Sequence, residues 1–174
     1  GEKYSILEIV IMQLVNHGFT HITLAVNHFS KLIMAYFGNG ESLGVTIDYS
    51  LEETELGTIG PLTLITDLPD NFLVMNGDIL SDVNYRVFYE THVQNKREVS
   101  VAAYQRQQKI DFGILSYDDS CLLTSFEEKP SMNIDVSMGV YCFNRSVVES
   151  LVQNHPYGFD NLMLDRLSNS QPVT

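Results

Sequence analysis

The chain has 174 residues and a mass of 19.7 kDa, and its 44% hydrophobic and 18% charged residues support a packed core and exclude a disordered polypeptide. Its 10 Lys+Arg against 22 Asp+Glu leave a net charge of −12, so nucleic acid is not an expected partner, and any bound phosphate needs local cations or a metal ion. No apolar run has the roughly 18–20 residues of a membrane span, Gly1-Glu2-Lys3-Tyr4 does not read as a signal peptide, and two cysteines without C-x-x-C spacing, Cys121 and Cys142, fit a reduced cytoplasmic chain.

Residues 5–16 (SILEIVIMQLVN) are apolar on nearly every face and predict a buried helix that stops at Gly18. Residues 20–26 (THITLAV) predict a strand, Ser30 to about Phe37 a helix closed by Gly38-Asn39-Gly40, and Val45 to Tyr49 a short strand. An acidic loop, Glu52-Glu53-Thr54-Glu55, leads into Leu56-Gly57-Thr58-Ile59-Gly60, and a helix is expected to run on to about Ile65. After the turn Leu68-Pro69-Asp70-Asn71, residues 72–75 (FLVM) read as a strand covered on both faces. Tyr85, Phe88, Tyr89, His92 and Val93 follow helical spacing, with Ser81 or Asp82 as the expected cap.

This alternation of strand and helix implies a largely parallel sheet. Beyond Lys96 the strands 99–104, 112–116, 122–127 and 134–143 are joined by short links, and short helices follow at about 146–152 and 159–167. Cys142, Met12, Met34, Met75 and Met163 read as core. The expectation is one α/β domain over 1–174, Rossmann-like and three-layered (α/β/α), with a mixed, mainly parallel sheet.

Four short motifs bear on chemistry, each with a plainer reading beside it. Asn76-Gly77-Asp78 ends a buried strand, where ligands of parallel α/β sheets bind. An Asp there suits a hard cation such as Mg²⁺, or simply turns the chain. Backbone amides of Leu56-Gly57-Thr58-Ile59-Gly60 face a nucleotide or form an ordinary strand-to-helix turn. Glu127-Glu128-Lys129-Pro130 holds a sugar hydroxyl and a phosphate together, or is a solvated charged turn. Gly139, inside a strand, admits close approach of a ligand or of a neighbouring strand. The five histidines form no metal set, and no Ser/His/Asp or Cys/His constellation stands out.

In their order along the chain, LEIVIMQLVNHGFTHITLAVNH (7–28), YFGNGESLGVTIDYSLE (36–52), LGTIGPL (56–62), FLVMNGDIL (72–80), FGIL (112–115), FEEKP (126–130), VSMGVYCF (136–143) and YGFDNLMLDRL (157–167) resemble the sugar-phosphate nucleotidyltransferases. This family of nucleotide-sugar pyrophosphorylases joins a nucleoside triphosphate (NTP) to a sugar 1-phosphate, giving a nucleotide sugar and pyrophosphate, on the nucleotide-diphospho-sugar transferase fold. The resemblance implies Asp78 as the Mg²⁺ ligand and Lys129 beside the sugar phosphate, these two being the catalytic pair. It implies Glu52, Leu56, Gly57, Gly60 and Gly77 on the nucleotide, and Gly113, Glu128, Ser137 and Gly139 on the sugar. Many relatives carry Asn or Thr at the Ser137 position.

The chain departs from the family's pattern at both ends. The resemblance implies a preceding G-G-x-G-T-R-L-x-P-x-T loop, a Lys-Pro segment, and a following G-x-W-x-D-I-G segment that carries a second metal ligand. The expectation is a catalytic domain trimmed at both ends, with little activity by itself, and Asp160 and Asp165 are read as capping or solvated rather than as substitute ligands. Glu52 aligns near the base-reading position. A carboxylate only accepts hydrogen bonds, and guanine offers two adjacent donors where uracil offers one, so GTP and a mannose- or heptose-type sugar are favoured, with Glu53 or Glu55 as reader if the register slips. A homo-oligomer is compatible with the sequence. The alternative is a non-catalytic relative that binds nucleotide sugars and regulates a partner.

Overall fold

The structure, a computed structural model, describes residues 3–174. The chain forms two compact units, one running to Val101 and resuming at Gly139, the other Ala102–Met138.

The first unit opens with α1 (Ile6–Asn16). Ser5 and Glu8 form a reciprocal capping box, in which the Ser5 hydroxyl accepts from the Glu8 N–H and the Glu8 carboxylate accepts from the Ser5 N–H. Gly18, at φ +89°, follows the helix end as the sequence implies. The helix buries one face, Val10, Ile11 and Leu14, and leaves Ile6 and Met12 exposed, so the expectation of an all-round buried helix is corrected. β1 (His21–Val26), α2 (Ser30–Phe37) and β2 (Thr46–Leu51) follow. β1 and β2 pair in parallel, with His21 opposite Thr46 and Val26 opposite Leu51. Ile11, Phe37, Val45 and Ile47 make the buried cluster of this half.

The expected helix through Ile65 is instead a five-residue 3-10 turn, Gly60–Leu64. Pro61 brings no N–H to it, and the Thr63 hydroxyl donates to the Gly60 carbonyl, which shortens the turn rather than extending it. β3 (Asn71–Met75) then leads to α3 (Tyr85–Gln94). The cap of α3 is Asn84, whose side chain accepts from the Val87 N–H; Ser81 and Asp82 lie too far upstream. Tyr85 and His92 are the buried members of its face, while Val93 is exposed.

β4 (Val99–Lys109) leaves this unit at Val101, and β7 (Ser131–Asn144) returns to it at Gly139. β7 lies between β3 and β4, antiparallel to β3, with Phe72 opposite Phe143 and Met75 opposite Val140. Short α4 (Arg145–Glu149) and α5 (Phe159–Ser168) close the unit. Ile59, Leu62, Phe72, Val99, Tyr141, Phe143 and Leu162 share a second buried cluster, with the Phe159 ring stacked on Tyr141 at 4.0 Å. Full burial of each such side chain contributes roughly 1.5–3 kcal/mol. Cys142 is fully buried, and burial pushes its thiol up to about 12, as a core cysteine requires. Met12 and Met34, expected in the core, are each 38% exposed, because their faces of α1 and α2 turn to solvent.

In the second unit β5 (Ile114–Tyr117) and β6 (Leu123–Glu127) form an antiparallel hairpin, Ile114 opposite Glu127. Asp118 shapes its turn by accepting from the N–H groups of Ser120 and Leu122. The molecule is thus α/β with both parallel and antiparallel ladders.

Candidate functional site

Candidate residues of the first unit gather where strands end. Glu52 directly follows β2, and Asn76, Gly77 and Asp78 directly follow β3. Glu52, Gly57, Asn76 and Gly77 border one cavity of about 990 Å³. The carboxyl ends of strands are where α/β folds receive ligands, because side chains and loop amides there are free of the ladder. Asp78 is exposed beside this opening in the sequence, one residue beyond Gly77.

The Glu52 carboxylate accepts from the Leu56 N–H at 3.2 Å, closing the acidic loop on itself. Leu56 is 1% exposed. It presents backbone rather than side chain, and its carbonyl accepts from the Tyr157 N–H at 2.9 Å. The N–H groups of Ile59 and Gly60 both donate to the Tyr157 carbonyl at 3.0 Å. A Cβ at Gly57, where φ is +78°, would meet the Tyr157 carbonyl oxygen at 2.9 Å, and one at Gly60 would meet the His155 carbonyl oxygen at 2.8 Å. These glycines therefore admit a second strand of backbone. Tyr157 is the positioning residue that motif reading missed; the pair of glycines three apart was its available signal. Its phenol donates to the Asp165 carboxylate, and burial together with that bond pushes the phenol up to about 12. Asp165 is thereby occupied, and Asp160 sits in the first turn of α5.

Gly139 stands beside the Asn76–Asp78 loop. The Asn76 N–H donates to the Gly139 carbonyl at 3.1 Å, and a Cβ at Gly139 (φ +68°) would run into Ile79 and come within 3.0 Å of Asn76 Nδ2. Close approach by a neighbouring segment is thus what Gly139 provides here. Among the described residues no group of three or more His, Cys, Asp or Glu is arranged to hold a metal. Mg²⁺ in phosphate sites takes one or two carboxylates and fills its shell with water and phosphate oxygens, so the lone exposed Asp78 fits that mode and not an all-protein cage.

Gly113, Glu128, Lys129 and Ser137 belong to the second unit. There Gly113 and Glu128 come together: a Cβ on Gly113 would lie 3.1 Å from Glu128 Oε2 and 2.5 Å from the Phe126 ring. Lys129 adopts φ +48°, and the Ile110 N–H donates to the neighbouring Pro130 carbonyl at 3.0 Å, which holds the Glu-Lys-Pro bend against the end of β4. Glu128, Lys129 and Ser137 are all exposed.

Comparison with known proteins supplies the lineage. The family model for nucleotidyl transferases matches residues 1–166. A UTP–glucose-1-phosphate uridylyltransferase of Synechocystis sp. is 25% identical over 184 residues, covering 95% of this chain and 47% of the relative. The mannose-1-phosphate guanylyltransferase catalytic subunit beta of Danio rerio is 30% identical over 146 residues, covering 79% of this chain and 41% of the relative. The chain thus spans less than half the length of these curated relatives. Among solved structures, HddC from Yersinia pseudotuberculosis matches with a TM-score of 0.69 at 18% identity, over 92% of this chain and 71% of that one. A second structure of HddC, complexed with GMP-PN, matches with a TM-score of 0.66 at 19% identity, with the same coverage of both chains. At such identities the structural likeness speaks for the fold. With the family match running through nearly the whole sequence, the chain belongs to the nucleotidyl transferase family.

Proposed function

We propose that the polypeptide carrying these residues joins a nucleoside triphosphate to a sugar 1-phosphate, forming a nucleotide sugar and releasing pyrophosphate. The observation that carries this reading is the convergence of Glu52, Gly57 and Gly77 on one cavity at strand carboxyl ends. The reaction brings two anions together and needs alignment and charge neutralisation more than covalent assistance. The first unit serves the nucleotide through Glu52, through Gly57 and Thr58, which line the cavity while Leu56, Ile59 and Gly60 spend their backbone groups on Glu52 and Tyr157, and through Gly77. The second serves the sugar phosphate: Glu128 accepts sugar hydroxyls, Gly113 leaves room beside it, Lys129 pairs with the phosphate, and Ser137 offers a hydroxyl. Gly139 supports the first unit's part of the site indirectly, by seating the Asn76–Asp78 loop. Asp78 would ligate a Mg²⁺, which when bound lowers the charge of the phosphates.

GTP and a mannose- or heptose-type sugar are the proposed substrates. The acceptor-only carboxylate of Glu52 supports a base with two adjacent donors. The Danio rerio relative is named for mannose 1-phosphate and guanylyl transfer, and one HddC structure holds GMP-PN. The test is pyrophosphate release with each nucleotide and with mannose or glucose 1-phosphate. Release is expected to require both substrates, to be greatest with GTP and mannose 1-phosphate, and to fall at least about 100-fold in Asp78→Asn, in line with the loss of one electrostatic contact in the transition state. Release that is indifferent to the sugar phosphate, or undiminished in Asp78→Asn, contradicts the proposal. The 174 residues alone are expected to turn over slowly; brisk release by them overturns that part.

A further inference from the structure

A second cavity, of about 470 Å³, lies wholly within the first unit. Its walls include Thr63 of the 3-10 turn, Ser146 and Ser150 at the two ends of α4, Tyr157, and Asp165 and Arg166 of α5. The hydroxyls among these walls share one property: each spends its proton on the protein. Thr63 donates to the Gly60 carbonyl, Ser146 to Asn144 Oδ1 and Ser150 to the Val147 carbonyl, all at 2.7 Å, and Tyr157 donates to the Asp165 carboxylate. A hydroxyl has one proton and two lone pairs, so what all four have left is the capacity to accept.

One wall residue has the opposite need. The Arg166 side chain is 5% exposed. Its Nη2 donates to the Glu98 carboxylate and to the Pro172 carbonyl, while its Nε is buried with no partner among the described residues. A buried donor left unpaired is costly, more so when it is charged. These two needs sort the ligand classes. A carboxylate only accepts, so it leaves the four hydroxyls unanswered, and it meets the carboxylates of Glu98 and Asp165 in the same walls. An ammonium ion only donates and gives Arg166 nothing. A ligand that both donates and accepts at each polar position answers both needs, and the hydroxyl is that group. The acceptors come from the 3-10 turn, from α4 and from Tyr157, so the matching donors must diverge, as ring hydroxyls of a sugar do and the coplanar edge of a nucleobase does not. Val147, Leu151 and Leu162 offer apolar wall to the C–H faces of such a ring, and the volume lies in the range of small-molecule sites.

We propose that this cavity is a second small-molecule site, one that takes a neutral pyranose sugar and is separate from the Glu128–Lys129 bend of the second unit. It adjoins the Leu56–Gly60 loop. Gly60 and Tyr157 border it, the Tyr157 carbonyl receives the Ile59 and Gly60 N–H groups, and Gly57 and Thr58 of the same loop border the larger cavity. A sugar held here therefore braces the backbone against which that loop is seated. The site stands on its own walls and does not rest on the catalytic reading.

The test titrates the 174-residue chain with methyl α-D-mannopyranoside and, separately, methyl α-D-glucopyranoside, neither of which carries a phosphate. The signals followed by NMR are the Arg166 Nε–H and the backbone amides of Gly60 and Tyr157. The expected result is a saturable shift of all three with at least one of the two sugars, weakened roughly three- to tenfold in affinity in Ser150→Ala and in Thr63→Val, the loss of one hydrogen bond each. The β7 amides report whether each variant is folded. Inorganic phosphate and 1,4-diaminobutane at the same concentrations are expected to leave the Arg166 Nε–H unmoved. No saturable shift at Arg166 with either sugar, a response to phosphate or to the diamine as large as to the sugar, shifts confined to the second unit, or an affinity unchanged in the folded variants each overturns the proposal.

Discussion

A Cβ is the smallest perturbation a glycine of the candidate site can receive, and the structure ranks its effect at two of them, Gly57 and Gly139. At Gly57 the backbone sits at φ +78°, and the obstruction is the Tyr157 carbonyl, which its own hydrogen bonds hold in place. At Gly139 φ is +68°, but the obstruction is the flexible end of Ile79 and the Asn76 side chain. Left-handed backbone costs a non-glycine residue roughly 1–2 kcal/mol. Gly139→Ala is expected to lose about that much in urea unfolding, and Gly57→Ala to lose more, since the backbone oxygen cannot step aside. Equal losses would show that Tyr157 yields. Glu52 supplies the second prediction at this scale. Glu52→Gln exchanges an acceptor for a group that also donates, so the thermal protection given by GTP relative to UTP is expected to shrink. Stronger protection by UTP in the unaltered chain contradicts the assignment of base choice to Glu52. Local chemistry of this kind was legible in the sequence: an Asp behind a Gly at a strand end, a Glu beside a Lys. The Glu52 carboxylate's bond to the Leu56 N–H was not, because it depends on how the acidic loop folds back.

Helix α3 shows what holds an element in place and when it lets go. His92 is buried, its Nδ1 is 2.8 Å from the Ser100 hydroxyl, and its Nε2 has no partner among the described residues. Burial, and after it the charge of Arg97, push its pKa below the usual 6.5. A neutral His92 in the folded state and an ordinary one in the unfolded state give a definite sign: the contribution is complete above about pH 6.5 and is lost as pH falls below it, where the unfolded chain takes up the proton first. Stability measured between pH 7.5 and 5.5 is expected to decline, and the decline to flatten in His92→Gln. An unchanged slope in that variant would place the loss elsewhere. Helical spacing pointed to His92 as a face residue of α3 but not to its titration, since Ser100 reaches it, and Thr174 in turn reaches Ser100, through tertiary packing. The same division holds for the other elements. α2 was readable from its Ser30 start and Gly38-Asn39-Gly40 stop, and β1 from its β-branched and apolar residues. The 3-10 turn at Gly60–Leu64 was not, because its length is decided by Pro61, the Thr63 hydroxyl and the Tyr157 backbone together.

At the scale of the molecule, alternating strands and helices announced an α/β fold, and the short links after Lys96 announced a β-rich stretch. Pairing partners are a different matter. β3 pairs with β7 across more than sixty intervening residues, from Met75 opposite Val140 to Asn71 opposite Asn144, and no local pattern encodes that choice. The larger cavity, which borders β1 and β3, was equally invisible, being defined by what those strands do not pair with. The proposed function rests on its mouth, where Glu52, Gly57 and Gly77 converge. The most direct measurement is a titration of the chain with GTP in the presence of Mg²⁺, followed by backbone amide shifts. The account predicts one saturable transition whose largest shifts fall at Gly57, Gly77 and Asp78, weakened in Asp78→Asn. Shifts that bypass these three amides while the β7 signals show an intact fold would contradict it.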